Sequence, residues 1–395
     1  MADDLVPVLW LTGPAGVGKS TVSWQIFTEL AQAGIPAAFV DTDQLCMCYP
    51  ALHEDPGRQR IKAHNLAAML PHYQAAGAQC VIANGVLDPV NGLYSELLAQ
   101  AEVTVCRLRA GRAELVHRFV GRHGPSDDLD DVLKETLDEA NAMDASDFAD
   151  VSVDTSNLTV TEVVGLVRDI CHTWPGFSGT LPEPRMASNG STRAGDDGDA
   201  SCADGNVLLI CGPPGVGKST IGFELYMRSL RAGRTAGYID LDQIGFLKPD
   251  AENDPGHHLL KSRNLAAMWR TYHAAGATHL IATGPVPTEA VRQTYIDALP
   301  AATVTVCRLH AGHAEMRTRI MSRASGGSWP QPGDPLCGQS AEYLSRVADQ
   351  GAVDSQAAKV GDIRIDTDGR TVTEAVDLIA AATDSLPDDA AGHGV

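Results

Sequence analysis

Apolar runs and amphipathic stretches alternate along this chain, and the alternation is written twice. VPVLWLTG (6–13) is a short apolar strand running into a glycine-rich loop, and STVSWQIFTELAQAG (20–34) reads as a helix closed by Gly34. IPAAFVD (35–41) is a second strand, and IKAHNLAAMLPHYQAAG (61–77) a helical stretch that Pro71 should kink or break. CVIANG, VTVCRL and VSVDT supply three further strands. The last is followed by Thr159-Val-Thr-Glu162, a capping box that opens a terminal helix, and Thr371 and Glu374 repeat it. Buried β-branched strands alternating with helices predict a parallel sheet with helices on both faces, which binds ligands at the carboxyl ends of its strands.

The second writing follows the first at a slowly growing offset. At 199 residues it carries DTDQL (41–45) onto DLDQI (240–244), Asp55-Pro-Gly onto Asp254-Pro-Gly, and NLAAM (65–69) onto NLAAM (264–268). At 201 it carries VTVCRL (103–108) onto 304–309, and at 212 DTSNLTVTEVV (154–164) onto DTDGRTVTEAV (366–376). Insertions fall between elements while the elements keep their lengths, so this is a domain duplication. The expected division is a first domain over 1–173, a flexible Gly/Ser/Pro/Asp-rich linker over 174–205, a second domain over 206–384 and a disordered tail over 385–395.

Composition narrows the classes. A formal charge of −20 and no basic stripe argue against nucleic acid as partner. No apolar run reaches the ~18–20 residues of a membrane helix, and the N-terminal stretch lacks the cationic start and cleavage site of a signal peptide. The nine scattered cysteines, with Cys46 and Cys48 as an isolated C-x-C, read as reduced thiols in a cytoplasmic protein.

The chemistry sits in the loops. GPAGVGKST (13–21) and GPPGVGKST (212–220) both fit G-x-x-x-x-G-K-[ST] between a strand and a helix. Gly13, Gly16 and Gly18, with Gly212, Gly215 and Gly217, let backbone N–H groups turn toward phosphate oxygens. Lys19 and Lys218 should reach the β- and γ-phosphates of ATP. Ser20 and Ser219 should ligate Mg²⁺, with Thr21 and Thr220 completing the loops. Asp41 and Asp43, repeated as Asp240 and Asp242, close the second strand one residue apart. Asp41 and Asp240 are assigned to the Mg²⁺ shell, and Asp43 and Asp242 to the proton of an attacking hydroxyl; the alternative is that both carboxylates cap the following turn. The third strand ends in ANG and ATG, without the acid a motor-type ATPase keeps there.

Arg118 and Arg122, four apart on the helix 111–122, recur as Arg319 and Arg323. They can clamp the nucleotide and the migrating phosphoryl group, or lie on a solvated face paired with Glu114. The glycine-, acid- and proline-rich segments after them suit lids that exclude water. On the acceptor side, Arg58, Arg60, Lys62 and His64 could hold a polar small molecule. The second repeat has His257, Leu259, Lys261 and Arg263 there, so only the lysines agree. Arg107 and Arg308 either face the site or make structural ion pairs.

The loop, the D-x-D, the R-x-x-x-R and the final strand ending in Asp-Thr resemble the small P-loop kinases: shikimate, gluconate, adenylyl-sulfate, chloramphenicol and nucleoside monophosphate kinases. The resemblance covers about 1–173 and 206–384 and implies two tandem α/β P-loop kinase-like domains, each with a parallel five-stranded sheet. It implies that Asp41 lies near Mg²⁺, that Asp43 is the candidate base, that Arg118 and Arg122 are lid residues, and that Thr155 and Ser156, with Thr367 in the repeat, lie near the adenine. The expected activity is transfer of the γ-phosphoryl of Mg-ATP to a hydroxyl of a small metabolite or antibiotic-like acceptor. A nucleotide-dependent binding or regulatory protein, or one active and one silent domain, stand as alternatives.

Overall fold

A computed structural model describes residues 5–123, 129–182, 203–325, 333–357 and 359–383. The strands of the first repeat are β1 (Val6–Thr12), β2 (Ala37–Asp41), β3 (Cys48–Tyr49), β4 (Cys80–Asn84), β5 (Ala101–Arg109) and β6 (Val151–Asp154). Those of the second are β7 (Asn206–Cys211), β8 (Ala236–Asp240), β9 (Phe246–Lys248), β10 (His279–Gly284), β11 (Thr303–His310) and β12 (Ile363–Asp366). Between them run α1 (Lys19–Gln32), α2 (Gln59–Ala75), α3 (Arg112–His123), α4 (Leu129–Asp144), α5 (Val160–Ile170) and α6 (Pro175–Ser178). The second repeat has α7 (Lys218–Arg231), α8 (His258–Ala274), α9 (Glu289–Asp297), α10 (His313–Ala324), α11 (Ala341–Ala357) and α12 (Val372–Thr383).

Two compact units form, and neither is continuous in sequence. Unit 1 comprises Met1–Cys46, His53–Ser191 and Phe246–Leu260; unit 2 comprises Met47–Leu52, Thr192–Gly245 and Lys261–Val395. Each repeat therefore gives up a short arm, 47–52 or 246–260, where the repeat pattern alone would draw a contiguous division.

In unit 1 the sheet order is β6-β5-β1-β4-β2-β9. The first five strands are parallel, and β9 joins β2 antiparallel with Phe246 opposite Phe39. In unit 2 the order is β12-β11-β7-β10-β8-β3, again with five parallel strands and an antiparallel edge in which Cys48 faces Gly237. The sheets thus have six strands rather than the expected five. The added strands are two or three residues long and show no apolar alternation, so nothing local announces them.

The parallel strands are apolar throughout because both faces are covered. Every residue of β1, β2 and β4 is buried. The core of unit 1 packs Leu9, Leu11, Ile26, Phe39 and Ile82 together, and Val17 of the loop joins them. Register then sets the site: Leu11 and Asp41 both lie opposite Asn84, and Thr12 lies opposite Arg107. Three strands therefore end level where the glycine loop begins.

Pro71 lies inside α2 without ending it. A proline has no N–H for the carbonyl four residues back. The Ala67 carbonyl accepts instead from Gln100 Nε2 at 2.7 Å. The capping box forms: Thr159 Oγ1 accepts from Glu162 N–H, and the Glu162 carboxylate accepts from Thr159 N–H at 2.8 Å.

Cys46 belongs to unit 1 and Cys48 to unit 2, and among the described residues no cysteine forms a disulfide. Among the described residues no helix is long and apolar enough to cross a membrane. Of the expected linker over 174–205, residues 175–178 form α6 and 183–202 lie outside the described residues, as do the tail and residues 124–128 and 326–332 of the expected lids.

Candidate functional site

The glycine loop of unit 1 is forced into shape by close packing. Gly13 has φ +140°, and a Cβ there would stand 2.2 Å from the Leu108 carbonyl oxygen; the same test at Gly212 gives 2.7 Å to the Leu309 oxygen. Only glycine fits either position. Gly16 and Gly18, like Gly215 and Gly217, also have positive φ. The loop then opens a helix, whose first N–H groups have no partner within the helix. Lys19 lies buried under the loop, its Nζ donating to the Gly13 carbonyl at 2.8 Å and to Pro14 at 3.1 Å. Lys218 donates likewise to Pro213 at 3.1 Å. Burial holds both ammonium groups below their ordinary range, against the pull of the neighbouring aspartates.

The two aspartates of each pair live in opposite environments. Asp41 is buried, and burial followed by the charge of Asp43 pushes its carboxyl up to about 7. Asp240 is pushed up to about 6 by burial and then by Asp242. The second aspartate points outward: the Asp43 side chain is 43% exposed and that of Asp242 is 53% exposed. Lys62, buried on α2, donates to Asp43 at 2.6 Å and to the Val86 carbonyl at 3.3 Å. Against the cost of burial, Lys62 and then Lys19 hold the Asp43 carboxyl below its ordinary range. Lys261 makes the same contact with Asp242 at 2.8 Å. In each pair the N–H of the second aspartate donates to the first, at 3.1 Å in unit 1 and 3.0 Å in unit 2. The carboxylates do tie the turn, but they cap it by way of the buried partner, leaving the second one open.

The serine after the loop lysine differs between the units. Ser20 Oγ donates to Asn84 Oδ1 at 3.2 Å, whereas Ser219 Oγ donates to Asp240 at 3.2 Å. Asn84 is buried, and its Nδ2 has no partner. The hydroxyl, the amide oxygen and the costly buried carboxylate are hard oxygen donors of the kind that suit Mg²⁺, which takes one or two protein carboxylates and completes its shell with water and phosphate. These residues fit the ion, and Ser20 with Asp41, or Ser219 with Asp240, would hold it.

The arginines of α3 and α10 are committed. Arg118 Nε donates to Glu114 at 2.8 Å, and its guanidinium also reaches Thr155 Oγ1 at 3.0 Å, the Thr155 carbonyl at 2.8 Å and the Val17 carbonyl at 3.3 Å. Arg319 repeats this with Glu315 and Thr367. Thr155 and Thr367 are buried and tie the last strand's end to the phosphate loop through Val17 and Val216 carbonyls. Arg323 donates to Asp334 at 2.6 Å. Arg122 lies in α3, but its side chain is outside the described residues. Thr21 and Thr220 stand at the first turns of α1 and α7.

The acceptor-side candidates scatter. Lys62 and Lys261 reach the aspartates; Arg60 instead stacks over the Tyr94 ring at 5.4 Å, and His64, Arg263 and Leu259 are exposed. Arg58 takes a left-handed φ of 54° ahead of α2, and His257 pairs with Asp250. The shared Asp-Pro-Gly is a helix start: Asp55 accepts from the N–H groups of Arg60 and Ile61, and Asp254 from those of Leu259 and Leu260. Arg107 and Arg308 tie the sheet to the carbonyls of Met143 and Asp354, a structural role. Sequence reasoning passed over Asn84, whose signal was its place at the third strand's end, and did not pair Lys62 with Asp43, although the lysine's identity in both repeats marked it out.

Residues 8–143 match a family model described as an AAA domain. That span holds the glycine loop, the aspartate pair and Lys62 of unit 1. No curated protein matches the sequence. Solved structures similar to it include a gluconokinase from Sinorhizobium meliloti 1021, at 14% identity and a TM-score of 0.31, covering 46% of this chain and 93% of its own. An APS kinase from Mycobacterium tuberculosis, solved with AMPPNP and APS, is 16% identical with a TM-score of 0.29, covering 46% and 98%. A shikimate kinase from Aquifex aeolicus is 15% identical with a TM-score of 0.26, covering 45% and 96%.

Proposed function

We propose that each unit is a kinase that moves the γ-phosphoryl of Mg-ATP to a hydroxyl of a small molecule. The observation that carries this reading is the solvent-facing second aspartate, Asp43 or Asp242, paired with a buried lysine. The lysine fixes it two residues beyond a buried carboxylate, beside the phosphate loop. An acceptor hydroxyl at that carboxylate would give up its proton to Asp43 as its oxygen bonds the γ-phosphorus and the bond to the ADP oxygen breaks. A weakly basic carboxylate suffices, because a loose transition state asks for orientation and late proton acceptance more than for strong basicity. Lys19 and the loop N–H groups would hold the phosphates, and bound Mg²⁺ would neutralise charge between the β- and γ-oxygens. Arg118 braces the loop against Thr155 from the other side.

The test is a panel of small hydroxylated compounds with Mg-ATP, read by mass spectrometry for gain of one phosphoryl group. ADP production should rise sharply with one acceptor and be lost in Asp43→Asn combined with Asp242→Asn. Slow hydrolysis indifferent to every acceptor, with a change in size or partner binding on adding ATP, would instead support the regulatory reading.

A further inference from the structure

The two repeats part company at the end of the strand that follows the aspartates. In unit 1 β4 ends at Asn84, level with Leu11 ahead of the glycine loop on one side and with Asp41 on the other. Asn84 is 1% exposed. Ser20 Oγ donates to its Oδ1 at 3.2 Å, and its Nδ2 has no acceptor. At the offset of 199, Ser23, Phe39 and Asn84 become Gly222, Tyr238 and Thr283. There the polar group at the strand's end is answered from within the unit. Tyr238 OH and Thr283 Oγ1 lie 3.1 Å apart, and a Cβ on Gly222 would stand 2.3 Å from the Thr283 methyl, so the glycine makes room for that methyl. Ser219 donates to Asp240 instead of to this strand. In unit 1 Phe39 carries no hydroxyl, and Ser23 gives its own to the Lys19 carbonyl at 2.6 Å. Unit 2 has closed a position that unit 1 leaves with a donor to spare. A buried N–H without an acceptor is costly, and native proteins keep few of them.

We infer that Asn84 binds phosphate in unit 1: with its oxygen held by Ser20, Nδ2 donates to an oxygen of the γ-phosphoryl group, a contact that unit 2 lacks. The partner of Nδ2 must be an acceptor that arrives with the ligand. A water on Mg²⁺ gives a lone pair to the metal, turns its protons outward and is a poor acceptor, whereas a phosphate oxygen is a strong one. The fold selects which phosphate. β4 stands between β1, which feeds the loop, and β2, which ends at Asp41, so Asn84 lies on the side of the loop nearer the aspartates, where the transferred phosphoryl group would pass. This rests on the reading that the loop of unit 1 holds Mg-ATP. ADP lacks that oxygen, so Asn84 favours ATP over ADP at unit 1.

The test measures ATP and ADP dissociation constants by calorimetry in Mg²⁺, on the full chain with unit 2 silenced by Lys218→Ala. Asn84→Leu, and Asn84→Thr with the side chain that unit 2 carries, should each weaken ATP binding about tenfold and leave ADP within about twofold. Retained ADP binding shows that the substituted loop is folded. Loss of ATP and ADP alike, or an unchanged ratio of the two, overturns the proposal. Adding either substitution to Ser20→Ala separates a direct contact from an effect through the serine: the preference for ATP should still fall about tenfold, and no further fall overturns the proposal. Thr283→Val in a Lys19→Ala chain should leave the preference at unit 2 as it was; a tenfold fall there overturns the contrast between the units. If the Lys218→Ala parent binds neither nucleotide, the nucleotide reading of unit 1 itself falls, a result distinct from any change in the ratio.

Discussion

Asp41 and Asp43 show how two residue positions decide what one side chain can do. Asp41 is an acid raised from its ordinary 3.8 to about 7 by burial and then by Asp43, so the folded state resists its ionisation. Each step of pH between those values loads a charge more easily in the unfolded chain, and stability falls across that window. Asp41→Asn should therefore raise the stability of the metal-free protein at pH 8 by about 1–3 kcal/mol and change it little at pH 4. Thermal melts in chelator at the two pH values check this; equal melting temperatures at pH 8 would show that the buried charge is not strained. Asp43 runs the other way. Its contribution is complete above the ordinary value of 3.8 and is lost as pH falls below it, because the charges of Lys62 and then Lys19 hold it ionised. Lys62→Met should cost only about 1 kcal/mol, since the aspartate is open to solvent, but should cut turnover at unit 1 at least about tenfold. Urea melts and the ADP rate of a Lys218→Ala chain separate the two effects.

At the scale of elements, legibility follows the range of the interaction. The loop, the D-x-D and the capping box were readable because their partners lie within a few residues, and the five parallel strands because burial on both faces writes itself as unbroken apolar sequence. The Lys62–Asp43 pair was not legible because its partners lie 19 residues apart across a turn, and Asn84 because it meets Ser20 from 64 residues away. The sixth strands were the least legible. Phe246 sits in the second repeat, yet in unit 1 its ring meets Trp24 at 5.1 Å and Phe39 at 5.7 Å, edge to face. Phe246→Ala should weaken β2 by about 2 kcal/mol. Hydrogen exchange should then quicken in peptides spanning 35–45 and stay as it was in those spanning 236–242. Faster exchange confined to the second repeat would refute the assignment of this arm to unit 1.

At the scale of the molecule, what matters is whether each unit is chemically complete. Within unit 1 the loop lysine, the buried aspartate, the open aspartate and its lysine all come from residues 19–62, and unit 2 assembles the same set from residues 218–261. The exchanged arms do not carry these groups; 47–52 and 246–260 fall between each aspartate pair and its lysine. Completeness predicts independence, because substitutions without shared partners add. The full chain should bind one Mg-ATP per unit. Lys19→Ala and Lys218→Ala should each remove one, and the double variant both. Equilibrium dialysis against saturating Mg-ATP counts the sites in each variant. If either single variant kept the full stoichiometry, its loop would not be a nucleotide site in the native chain, and the repeat that carries it would serve its neighbour by some means other than a second active centre.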